Sequence, residues 1–171
     1  MLKAGNRTLI AFYKGWSSHP LSLLKHSAIR LFSLSKYSHC ELITSHSEEF
    51  GKSICWSSSS KRGGVTVENI DIYPADWDMF EVGVPMSDCV ERLKKIEGLK
   101  YSYIGAIIAT IYSMNKSHSK RWFCSEVIYF ALTGRRCRIG IKELHKNLSK
   151  LQVKSSWQAS IRIFNSKLTE F

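Results

Sequence analysis

The chain has 171 residues, 44% of them hydrophobic, enough to enclose one continuous core, so a single domain over residues 1–171 is expected. No internal repeat is visible, and the only low-complexity run, Ser57 to Ser60, is too short for a linker. The formal charge is +11, from 25 Lys and Arg against 14 Asp and Glu, which points to an anionic partner or to a solvated basic face.

Taken in chain order, Thr8 to Tyr13 is rich in β-formers and predicts a first strand. Its apolar part, Leu9 to Tyr13, is too short for a signal-peptide core and lacks a small-residue cleavage site, so a cytoplasmic location is expected. Behind Pro20, the residues Leu21, Leu24, Ala28, Ile29 and Phe32 fall at helical spacing. Three further strands are predicted at Tyr37 to Thr44, Lys52 to Ser57 and Gly63 to Ile70, the last two joined by the Lys61-Arg62-Gly63-Gly64 turn. Trp77 to Val84 completes a mostly antiparallel sheet.

Beyond Pro85 the pattern turns helical, with segments at Ser87 to Glu97, Tyr103 to Tyr112, Ser125 to Leu132 and Lys142 to Leu148. Gly134 stands where a left-handed C′ residue would close the third. A last strand is expected near Ile161 to Phe164. Strands first and helices after is the order of an α+β domain, helices packed on one face of an antiparallel sheet. Tyr103 to Tyr112, the longest apolar window, is half the roughly 20 residues a membrane helix needs, so a core helix and no integral membrane segment are expected.

The basic excess is uneven: residues 1–85 carry 9 Lys and Arg against 8 Asp and Glu, and residues 86–171 carry 16 against 6. Lys142, Lys146, Lys150 and Lys154 recur every four residues, one cationic stripe on a continuous helix. The five cysteines (Cys40, Cys55, Cys89, Cys124 and Cys137) have no close pairs, so reduced thiols are expected rather than a disulfide framework or a Cys-x-x-Cys site. His19, His26, His46, His118 and His145 have no metal-ligand spacing, and Gly63-Gly64 is followed by strand residues, so neither a metal nor another cofactor is expected.

Two segments carry chemistry. In Arg121 to Leu132, the residues Val127, Ile128, Ala131 and Leu132 trace an apolar helix face that begins at Cys124. A cysteine at a helix start faces unpaired backbone N–H groups and the positive end of the dipole, which favour the nucleophilic thiolate and can hold an oxyanion. The same position also continues a buried stripe, the ordinary role of a free cysteine. In Tyr37 to Ile43, alternation places His39 and Glu41 on one face and Cys40 and Leu42 on the other. His39 can serve as base to the thiol, its ring oriented by Glu41 or by Ser57 or Ser59 of the neighbouring strand.

Ser38-His39-Cys40-Glu41-Leu42 followed by Phe123-Cys124-Ser125-Glu126 resembles the circularly permuted papain-like branch of the NlpC cell-wall peptidase superfamily, which includes lecithin:retinol acyltransferase-like proteins. In that branch the His strand precedes the Cys helix. Trp56 to Val65 looks like its hairpin after the His strand, and Gly98 to Gly105 resembles its Tyr-containing approach to the helix before the nucleophile. The resemblance spans roughly residues 7 to 145. It implies a permuted papain-like fold and a cysteine hydrolase cutting an amide through a thioester, with peptidoglycan peptides among the candidate substrates. A lipid or thioester acyltransferase or esterase would use the same site. The reading from another class is a non-catalytic basic protein binding nucleic acid or an acidic partner through Arg135, Arg136, Arg138 and the Lys142 to Lys154 series.

Overall fold

The computed structural model describes residues 7–15, 34–46, 52–103 and 120–151, with positions 27, 29–31, 105–106 and 109. Five strands are present: β1 (Thr8–Tyr13), β2 (His39–His46), β3 (Lys52–Ser59), β4 (Gly64–Asp71) and β5 (Trp77–Val82). They form one sheet in the order β4-β3-β2-β1-β5, and every neighbouring pair is antiparallel.

The central position of β1 explains its composition. Ile10 and Phe12 face one side and Ala11 the other, and all three are fully buried. The register aligns Phe80, Ile10, Leu42 and Trp56 in one apolar row across β5, β1, β2 and β3. Burying each such side chain contributes about 1.5–3 kcal/mol relative to exposure. β4, at an edge, alternates buried or half-buried with exposed residues along Thr66 to Asp71, as a strand with one wet face should.

Three helices with defined bounds join the Ile10 and Phe12 side: α1 (Met86–Lys94), α2 (Cys124–Thr133) and α3 (Ile141–Leu151). The α+β class and the helices on one face of an antiparallel sheet are therefore as the sequence implies. α1 buries Cys89 and Leu93, and stops three residues earlier than expected, in a turn that ends at Gly98 with φ +78°. α2 is buried nearly all round. Gly134 closes it in the left-handed conformation, its N–H donating to the Phe130 carbonyl at 2.8 Å. Arg92 Nη1 of α1 donates to the last carbonyls, Ala131 at 2.7 Å and Leu132 at 3.0 Å, so α1 holds the end of α2.

On α3, Leu144 and Leu148 are buried while Lys142, Lys146 and Lys150 are exposed, one solvent-facing cationic stripe. No described helix is long and apolar enough to cross a membrane. Of the helix expected behind Pro20, positions 27 and 29–31 are described and helical, and of Tyr103 to Tyr112, positions 103, 105, 106 and 109 are. The strand expected near Ile161 to Phe164 and Lys154 lie outside the described residues.

One irregularity in the sheet positions everything that follows. β2 and β3 pair from Leu42↔Trp56 to His46↔Ser53, with a register shift between Ile43 and Ser45, and no backbone pair lies beyond Leu42 toward His39. β2 continues there with β1, and β3 with β4. Between the parted strands, side chains replace the ladder: Ser57 Oγ donates to the Cys40 carbonyl at 2.7 Å, and Ser58 Oγ to the Trp122 carbonyl at 3.0 Å.

Candidate active site

Cys124 is the first residue of α2, preceded by Phe123 in extended conformation without any side-chain cap. The segment ahead of it is tied down on two sides. Trp122 N–H donates to the Lys100 carbonyl at 2.8 Å, and the Trp122 carbonyl accepts Ser102 N–H at 2.8 Å besides the Ser58 hydroxyl. Lys100 is itself bridged to Gly64 on β4, where a Cβ would run into the Leu99 carbonyl oxygen. Glycine is required at 64 by that approach. Ser125 Oγ donates to the Ile139 carbonyl at 2.7 Å, and the fully buried Glu126 pairs with Arg136 Nε at 2.9 Å, fixing the first turn of α2 from the other side.

Held in this way at the parting of β2 and β3, the Cys124 thiol lies beside the His39 imidazole, the Cys40 thiol and the Cys40 backbone N–H, and all three act on its charge. The hydrogen bond from the Cys40 thiol, then the His39 cation and the Cys40 N–H, outweigh burial and hold Cys124 well below the ordinary thiol range. Burial opposes the charge on His39, but the Cys124 and Glu41 anions overcome it and push the imidazole up to about 10. Both shifts favour one state, thiolate beside imidazolium. Cys40 moves the other way: burial, and then the neighbouring Cys124 and Glu41 charges, push it well above the usual range and keep it a protonated donor.

Glu41 holds one side of the ring, with Oε1 2.7 Å from His39 Nε2. Of the three candidates for the orienting role, Glu41 thus has the contact. Ser57 is engaged with the Cys40 carbonyl, and Ser59 Oγ accepts Arg62 N–H at 3.2 Å. His39, Glu41 and Cys124 are brought together from positions up to 85 residues apart. Tyr101, beside them, stays a protonated phenol because burial and the Cys124 charge raise its pKa; its ring stands edge-on to Tyr103, centroids 4.9 Å apart.

The remaining histidines among the described residues serve packing or local bonds. His145 lies in the aromatic group of Phe12, Tyr37 and Phe80, and His46 Nδ1 is 2.6 Å from Ser53 Oγ. Among the described residues, no group of three or more His, Cys, Asp or Glu is arranged to hold a metal ion. Sequence reasoning missed two participants. Cys40 shares a face with Leu42, as strand alternation implies, but nothing in a strand pattern announces that its thiol meets Cys124. Arg62, in the β3–β4 turn, donates from Nη2 to Glu41 Oε1 at 2.8 Å and from Nη1 to Oε2 at 3.1 Å. No signal distinguished it from Lys61.

The chain has no significant match among family models, curated proteins or solved structures. The site itself combines a thiolate of lowered pKa at a helix start, an imidazole beside it, and a carboxylate that orients the imidazole, the groups that nucleophilic catalysis by cysteine requires.

Proposed function

We propose that the protein is a cysteine hydrolase that cleaves an amide through a thioester, on a permuted papain-like arrangement in which the His strand precedes the Cys helix. The observation that carries the reading is the His39 imidazole placed between two groups, bonded to Glu41 Oε1 at 2.7 Å and beside the Cys124 thiolate, whose charge holds the imidazole protonated. In the first half-reaction the Cys124 thiolate attacks the carbonyl carbon, and the oxyanion is met by backbone N–H at the start of α2. Collapse breaks the C–N bond as His39 gives its proton to the departing amine. In the second, His39 takes a proton from water, whose oxygen attacks the thioester, and the carboxylic acid leaves with the thiolate restored. Glu41 favours the imidazolium at both stages.

Peptidoglycan peptides are the amide class proposed first. A lipid or thioester acyl donor would use the same nucleophile and make the protein an acyltransferase or esterase, since pocket shape rather than the thiolate selects the acyl group. A non-catalytic role would instead use the exposed Lys142, Lys146 and Lys150 to bind an anionic partner. Incubation with peptidoglycan peptides and with acyl thioesters, followed by intact mass spectrometry, separates the three. A peptide or fatty-acyl adduct on Cys124, absent from Cys124→Ala, names the substrate class. No adduct and no turnover, with salt-dependent anion binding unaffected by Cys124→Ala, would overturn the enzymatic reading.

A further inference from the structure

The geometry points to Arg62 as a positioning residue that acts on His39 through Glu41, and the inference rests on the hydrolase reading above. Glu41 has a relative exposure of 1%, a depth at which an ionised carboxylate is sustained only by paired charge and hydrogen bonds. His39 supplies one bond, to Oε1. Arg62 supplies two, one to each oxygen, in the planar fork that lysine cannot reproduce. Oε1 is therefore shared by His39 Nε2 and Arg62 Nη2, while Oε2 is occupied by Arg62 Nη1. The carboxylate cannot rotate away from the imidazole without breaking the fork.

Arg62 is itself fixed from three directions. Its backbone N–H donates to Ser59 Oγ at 3.2 Å, the turn behind it closes through Gly63 at φ +78°, and its Nε is bonded to Glu68 of β4. Glu68 faces Cys55 in the register, on the same side of the sheet as Ile43, so the turn folds Arg62 over this face toward Glu41. The Arg62 side chain is 7% exposed. A solvent-facing turn arginine would show the opposite. The groups around the pair are Cys40 and Cys124 at His39, and Cys55 and Glu68 at Glu41 and Arg62.

The alternative is that Arg62 only staples the β3–β4 turn to the sheet, and the two roles separate on the titration of His39. Imidazole NMR spectra of the full chain are recorded against pH for wild type, R62M, R62Q, E41Q and the double variant E41Q/R62M. Positioning through Glu41 predicts that R62M and R62Q lower the His39 midpoint by at least about one unit, the shift a close carboxylate supplies, and that R62M adds nothing in the E41Q background. A staple would lower the melting temperature and leave the midpoint in place. A wild-type His39 midpoint in whichever of R62M or R62Q remains folded, or a drop additive with that of E41Q, overturns the assignment. Iodoacetamide labelling of Cys124 in wild type tests the hydrolase reading separately. Sluggish labelling with shifted midpoints discards that reading and leaves the hold of Arg62 on the imidazole standing; prompt labelling with unmoved midpoints does the reverse.

Discussion

Replacing Cys40 by alanine isolates the least expected support of the Cys124 thiolate. The Cys124 sulfur is stabilised as an anion by three groups: the Cys40 thiol, the His39 imidazolium and the Cys40 backbone N–H. Alanine removes the first and leaves the other two in place. A hydrogen bond to a charged partner contributes about 1.5–3 kcal/mol, and a thiol, as a weak donor, belongs at the low end. About 1.4 kcal/mol corresponds to one pH unit, so the Cys124 pKa should rise by about one unit in Cys40→Ala. The assay is the pH dependence of iodoacetamide alkylation at Cys124, followed by peptide mass spectrometry. In the wild type the rate should climb through a midpoint well below the usual thiol range, then hold level until His39 loses its proton at about 10. Cys40→Ala should move the first midpoint up by that unit, and Cys40→Ser, which keeps a hydroxyl donor, should restore most of it. An unchanged or lower midpoint in a folded Cys40→Ala protein would refute the argument that the two thiols are coupled.

Asp78 accepts from Lys14 Nζ at 2.6 Å, Lys36 Nζ at 2.8 Å and Tyr37 Oη at 2.6 Å, bonds that overcome the opposing effect of burial and lower its pKa from 3.8 to about 2. Its contribution is present above the unfolded value and lost as pH falls through about 2, so Asp78→Asn should cost about 1–2 kcal/mol in urea denaturation at pH 7 and almost nothing near pH 2. Gly64→Ala forces a methyl group into the Leu99 carbonyl and should lower stability by roughly 2 kcal/mol or more, with slower Cys124 alkylation as the Lys100 bridge that supports Trp122 loosens; a near-native melting curve would contradict it. Glu126→Gln leaves Arg136 without its buried partner and should cost about 3 kcal/mol by chemical denaturation, whereas a cost near zero would show the pair to be dispensable.

Much of this arrangement was legible because its signals are local. Alternating apolar residues and short turns marked the five strands, and the His39–Glu41 pairing followed from two residues of the same strand sharing a face. The boundaries were less legible where tertiary contacts decide them. β2 runs on to His46 because the irregularity at Ile43/Ser45 restores pairing with β3, with Thr44 Oγ1 donating to the Ile54 carbonyl at 2.9 Å beside it. α1 ends at Lys94 because Gly98 and Leu99 turn back to β4, Gly98 N–H donating to the Val65 carbonyl at 2.8 Å. Arg62 was illegible for a stronger reason. Its role exists only once β2, β3 and β4 are side by side, and no spacing along the chain encodes that meeting.

The run Ser57-Ser58-Ser59-Ser60 is the poorest stretch of the sequence in variety, yet its members are not interchangeable. One hydroxyl secures the strand that bears His39, the next the segment that leads into Cys124, and the third the turn that presents Arg62, while the fourth serine contributes its carbonyl to Gly63 N–H at 3.4 Å. Four identical letters thus hold four different appointments, the first two assigned by long-range placement and the last two by the turn that follows. Sliding β3 by a single residue would leave the composition untouched and hand the Ser57 and Ser58 hydroxyls to the wrong neighbours. Monotony in a sequence is therefore no measure of how little the structure asks of it, and here the asking is concentrated where the sheet opens.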